Sequence, residues 1–116
     1  MDNYERAFTP GRVIDGDTIT ILAVDLGYHV TATGVEYRVA RINSPEMHGP
    51  NADAGRAAKA YTEDWVTTHG RHGGLSATTT KTDSFGRYLA EITCSQGHNL
   101  SDDLLASGNA VPYAPK

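Results

Sequence analysis

Two carboxylates, Asp15 and Asp17, stand either side of one glycine in VIDGDTI (13–19), and Asn43 and Glu46 add two more oxygen donors in YRVARINSPE (37–46). Like charges that close repel, and burial strips each of its solvation. The spacing leaves two readings open. Asp-Gly is a common hairpin signal, which would make Asp15-Gly16 a surface turn and Asp17 a solvated strand start. Alternatively, a cation neutralises the cluster. Asp17, Asn43 and Glu46 offer only oxygen, which suits a hard cation, Ca²⁺ or Mg²⁺. Carboxylates do not hold a phosphate unaided, because both are anions. They need a bridging cation and cationic side chains opposite, and the guanidinium forks of Arg38 and Arg87 match phosphate oxygens two at a time. A metal, two arginines and a carboxylate base are the parts for hydrolysing a phosphodiester.

The elements that would position these groups are short strands. RVIDGDTITILAVD (12–25) is rich in Val, Ile and Thr, and GYHVTATGVEYRVARIN (27–43) continues the pattern, with Thr33-Gly34 read as a hairpin turn. Pro45, which has no amide donor, stops pairing. The period then changes: Ala57, Tyr61 and Trp65 recur at helical spacing with Ala54 and Ala58 beside them, between an N-capping Asn51 and a stop at Gly70. Tyr61 and Trp65 read as core anchors. Strands return at 75–83 and 86–94 around a turn at 84–86, and NLSDDLLASG (99–108) reads as a short helix with acids in its first turn. Short strands with one mid-chain helix and another near the end predict a mainly β, α+β chain, a small Greek-key barrel with helices packed on it.

At 116 residues, 39% of them hydrophobic, the chain suits one domain, 1–116, with a real core. The net charge of −4 argues against a non-specific basic coat for nucleic acid but leaves room for a local cationic site. One cysteine, Cys94, requires no oxidising compartment. No signal-like or membrane-spanning run is visible, so the expectation is a soluble, cytoplasmic monomer with no membrane partner, or a secreted one if a leader was trimmed.

VIDGDTI, YRVARINSPE and KTDSFGRYLAEI (81–92), in that order, with the intervening helix and NLSDDLLASGNA after them, resemble the staphylococcal nuclease (thermonuclease-like) family from about Val13 to Tyr113. The resemblance implies a five-stranded OB barrel with helices. It also implies Ca²⁺-dependent cleavage of DNA and RNA by in-line attack of water, leaving 3′-phosphate ends, with single-stranded DNA or RNA as substrate. By motif, Asp17 would ligate calcium, Asn43 would offer its side-chain carbonyl and Ser44 its backbone carbonyl. Glu46 would hold or deprotonate the attacking water. Arg38 would bind the scissile phosphate and Arg87 would stabilise charge in the transition state. Asp15 and Thr18, in the same loop, would support the ligands. Tyr113 would stack on a base or be buried against the barrel, and Phe85 would meet the substrate without the hydroxyl by which the tyrosine of family members reaches a phosphate. A further departure is Asn43 itself, where the family pattern has aspartate. The alternative function is a non-catalytic OB module that binds nucleic acid or peptide.

Several residues have plainer readings. On charge alone Arg41 serves as well as Arg38, and only position in the motif picks Arg38. His69 and His72 read as a solvated turn, His29, His48 and His98 as loop residues, and Cys94 as a small strand residue.

Overall fold

The computed structural model describes residues 5–27, 30–71, 74–82 and 87–113. Among these described residues, eight strands and two α-helices follow in the order β1 (Glu5–Asp15), β2 (Thr18–Gly27), β3 (Val30–Ala32), β4 (Val35–Val39), β5 (Ile42–Asn43), α1 (Ala52–Gly70), β6 (Leu75–Thr82), β7 (Tyr88–Cys94), α2 (Leu100–Ser107) and β8 (Val111–Pro112). A 3₁₀ turn, Gly49–Asn51, leads into α1.

Five strands close into a barrel. Their order is β1-β6-β7-β4-β2, and β1 pairs with β2 to complete the ring. β1 serves both neighbours with different stretches of its length. Its first part, Glu5 to Phe8, lies on β6, and from Phe8 to Asp15 it lies on β2, with register shifts around Pro10. Such irregularities increase local twist, and proline is tolerated there because no ladder donor is lost. β4 and β7 run parallel, with Tyr37, Arg38 and Val39 beside Tyr88, Leu89 and Ala90. This parallel contact inside an otherwise antiparallel ring, with α1 in the connection between its two strands, gives the OB-type five-stranded barrel that the sequence predicts.

β-branched residues alternate into the barrel: Ile19, Val39, Ile42 and Ile92 are fully buried, joined by Leu100 and Leu104 from α2. α2 is held by Asn99, whose side chain accepts the Asp102 amide, and ends at Gly108 with φ of 79°. α1 packs on β1, β6 and α2. Among the described residues, no helix is long and apolar enough to cross a membrane.

Two local expectations change. Thr33-Gly34 is not a hairpin turn, because β3 and β4 do not pair with each other: they lie end to end along the same edge of β2, with Ala32 opposite Val24 and Val35 opposite Ile21. The buried face of α1 is also rotated from the expected one. Gly55, Ala58, Thr62, Trp65 and Val66 face inward, while Ala54 and Ala57 are exposed and Tyr61 is half-buried. Thr62, polar and so overlooked in an apolar pattern, is fully buried because its hydroxyl donates to the Gly16 carbonyl at 2.8 Å. The expected turn at 84–86 lies outside the described residues.

Candidate active site

Asp15 and Thr18 are the last paired residues of the β1–β2 hairpin, with Gly16 and Asp17 as its turn. The opening motif is thus a turn and a buried cluster at once. Asp17 is only 9% exposed. α1 explains how a turn comes to be covered. A Cβ on Gly16 would come within 2.7 Å of the Ser44 Cβ and 2.8 Å of the Ala58 Cβ, so only glycine lets the turn slot between α1 and the segment after β5.

The buried carboxylate is surrounded by donors. Arg38 Nη2 lies 3.4 Å from Asp17 Oδ2, and the Ser44 amide donates to the same oxygen at 3.1 Å. Thr18 Oγ1 donates to Asp17 Oδ1 at 3.3 Å, and the Asp17 amide donates to Asp15 Oδ1 at 3.1 Å. Arg38 Nη2 also donates to Asn43 Oδ1 at 2.5 Å, while Nη1 is fixed on the Val39 carbonyl at 2.7 Å. Thr18 and Arg38 are cross-strand partners, and Arg87, just before β7, donates to Thr18 Oγ1 at 3.1 Å. Both guanidinium groups therefore converge on the acidic turn.

The charges register this crowding. Burial, then the hydrogen bond and the charge of Asp17, push the Asp15 carboxyl up to about 6. For Asp17, burial also pushes upward. The hydrogen bond with Asp15, the Arg38 charge and the Ser44 hydrogen bonds outweigh it, and the carboxyl sits below its ordinary value.

Glu46 is exposed and makes no hydrogen bond or ion pair among the described residues. Its backbone is pinned: a Cβ on Gly55 would strike the Glu46 carbonyl and come within 3.0 Å of the Met47 Cα, so the first turn of α1 lies directly on this loop. Tyr113 follows β8, its amide on the Arg41 carbonyl at 2.9 Å, and the residue is 54% exposed. Asn43 pairs with Val111 and Ile42 with Pro112, so Tyr113 stands opposite Arg41, two positions along the ladder from Asn43. Phe85 lies outside the described residues.

The two arginines that charge could not separate are separated by geometry. Arg41 turns to the other side, where Nε and Nη2 grip Glu91 at 2.6 and 2.8 Å and Nη2 also reaches Asp102 at 2.9 Å. It adopts φ of 70°, a left-handed conformation uncommon outside glycine, and its carbonyl and that of Ala40 are held by Tyr113 and Ser101. Arg41 is a structural clasp between the β4–β5 turn, β7 and α2.

The donor set around the turn fits a hard cation. Asp15, Asp17 and Asn43 offer only oxygen, and a cation there would offset the burial that mainly raises Asp15 as well as its repulsion from Asp17. The oxygens of Asp17 and Asn43 that already accept hydrogen bonds keep a second lone pair.

A different group of ligand-type side chains escapes sequence reasoning. His69, expected in a solvated turn, occupies the last turn of α1, with its ring centroid 4.5 Å from Trp65 and 4.6 Å from His98. His98 and Asp103 complete the group, with ligand atoms all within 4.8 Å. Separations of 29 and five positions along the chain carry no motif, so only the packing of α1 on α2 reveals it. His48 is exposed, as expected, while His29 and His72 lie outside the described residues.

The closed barrel with its parallel β4–β7 contact defines the chain as an OB-fold protein. A family model of staphylococcal nuclease homologues matches residues 36–116, more than two-thirds of the chain, and the chain belongs to that family. The match begins after the VIDGDTI motif, which the fold nonetheless packs against Arg38 and Ser44. Comparison with curated proteins gives no match.

Proposed function

We propose that the chain is a metal-dependent nuclease that hydrolyses phosphodiester bonds of DNA and RNA and leaves 3′-phosphate ends. The observation that carries this reading is the convergence of Arg38 and Arg87 on the buried Asp17 turn. Guanidinium groups beside an oxygen-donor cluster are what a phosphodiester needs and what a plain binding groove does not.

In this reading Asp17, Asn43 and the Ser44 carbonyl hold Ca²⁺, with Mg²⁺ the lesser alternative, and Asp15 and Thr18 keep Asp17 in place. When bound, the ion supplies positive charge to the phosphate oxygens and a coordination position for water. Arg38, anchored through Nη1 on a backbone carbonyl, presents its fork to the scissile phosphate. Arg87 stabilises charge that builds as the bond to the 5′ oxygen breaks. Glu46, exposed on the pinned loop, orients the water and takes its proton. Tyr113, an exposed residue, offers its ring for stacking on a base.

One observation favours the second reading, a non-catalytic OB module that binds nucleic acid. Asn43 brings no charge to the cation, and its oxygen is already engaged by Arg38. Incubation with single-stranded DNA and with RNA, in Ca²⁺, in Mg²⁺ and in chelator, separates the two. Cleavage that chelator abolishes supports the nuclease. Retention of substrate without cleavage in either metal supports the binding module.

A further inference from the structure

We propose that His69, His98 and Asp103 form a second metal site, for a zinc-class divalent ion, at the junction of α1, the β7–α2 turn and α2. The three residues come from three segments, yet their ligand atoms all lie within 4.8 Å of one another. They are not gathered by bonding to each other. His98 Nδ1 and Asp103 Oδ2 are 3.9 Å apart, beyond hydrogen-bond range. Zinc–nitrogen and zinc–oxygen bonds of about 2.0–2.2 Å at tetrahedral angles set neighbouring ligand atoms roughly 3.4 Å apart. The difference is within reach of a small rotation of His98, whose side chain is 52% exposed.

The surroundings hold the ligands as metal sites require. Trp65 Nε1 donates to Asp103 Oδ2 at 2.7 Å, which fixes the carboxylate and leaves Oδ1 without a hydrogen bond among the described residues. The His69 ring lies between those of Trp65 and His98, tilted 44° to each, and its Nδ1 faces Cys94 Sγ at 3.7 Å. Two imidazoles and one carboxylate are a borderline donor set that selects zinc-class ions and differs from the all-oxygen set at Asp17. The two sites are also far apart. β7 runs from Tyr88, next to Arg87, to Cys94, beside His69, a strand of about 20 Å. A bound ion would tie the end of α1 to the start of α2.

The test is calorimetric titration of ZnCl₂ into the untagged 116-residue chain, in a non-chelating buffer with excess Ca²⁺ to mask the acidic turn. Thermal melts follow with and without zinc, and Co²⁺ serves as a spectroscopic probe. The proposal expects one zinc per chain, a raised melting midpoint and the visible ligand-field bands of four-coordinate Co²⁺. His98→Ala, at a half-exposed position that should not disturb folding, and Asp103→Asn, which keeps an acceptor for Trp65, should each weaken zinc binding at least tenfold. No saturable binding, or binding of unchanged affinity in both variants, would overturn it.

Discussion

Arg38 donates to the side-chain oxygen of Asn43 at 2.5 Å while lying 3.4 Å from the Asp17 carboxylate. One guanidinium thus bridges two groups assigned to the same cation. Because Asn43 is neutral, the proposed cation would lose a charged ligand, and calcium affinity follows ligand charge. Asn43→Asp keeps the volume and restores the charge. It should tighten Ca²⁺ binding by about tenfold, or about 1.4 kcal/mol, in a calorimetric titration. The Arg38 bridge should limit the new repulsion against Asp17 when calcium is absent. Unchanged affinity would remove Asn43 from the ligands.

The two neighbouring arginines should fail in different ways. Arg38→Ala should lower turnover by about 10²-fold or more, the scale of losing one preorganised electrostatic group. Arg41→Ala breaks the clasp to Glu91 and Asp102, so it should lower the melting midpoint and leave turnover per folded molecule near wild type. Turnover assays corrected for folded fraction distinguish them, and the reverse pattern would reassign the phosphate-binding role.

Acid should loosen the same clasp. The Arg41 hydrogen bond, working against burial, holds Glu91 below its ordinary value of 4.5. A lowered folded-state pKa adds stability that is present above the unfolded value and is lost as pH falls through the folded one. Glu91→Gln should therefore be less stable than wild type at pH 7, and the gap should close as pH drops below about 4.5. Melting midpoints across pH read this, and a gap that stays constant would contradict it.

What the sequence made legible divides by chemistry. Barrel strands announced themselves through β-branched runs, and α2 through its acids and Gly108. The acidic turn stood out because charge is out of place between Val13 and Ile19. The buried face of α1 departs from its apolar pattern because two inward positions are not apolar: Gly55 faces inward to let a loop approach, and Thr62 to bond Gly16. The division of β1 between β6 and β2, which closes the ring, depends on partners far along the chain. The His69 cluster needed the helices packed before its members met.

The packing of α1 on the loop gives a prediction about catalysis at a distance. Gly55→Ala places a methyl against the Glu46 carbonyl. Overpacking of this kind costs about 1–3 kcal/mol, and here it should also move Glu46. Turnover should fall together with stability, whereas Ala57→Ser, on the exposed face of the same helix, should change neither. Melts and turnover on both variants test this.

The most direct test of the central claim is digestion of a labelled single-stranded oligonucleotide, with the product ends identified. With Ca²⁺, the wild-type chain should give 3′-phosphate and 5′-hydroxyl ends, chelator should stop cleavage, and Glu46→Gln, at an exposed position that leaves the fold intact, should be slower by about 10²-fold. Products with 5′-phosphate ends, or no cleavage in either Ca²⁺ or Mg²⁺, would contradict the account.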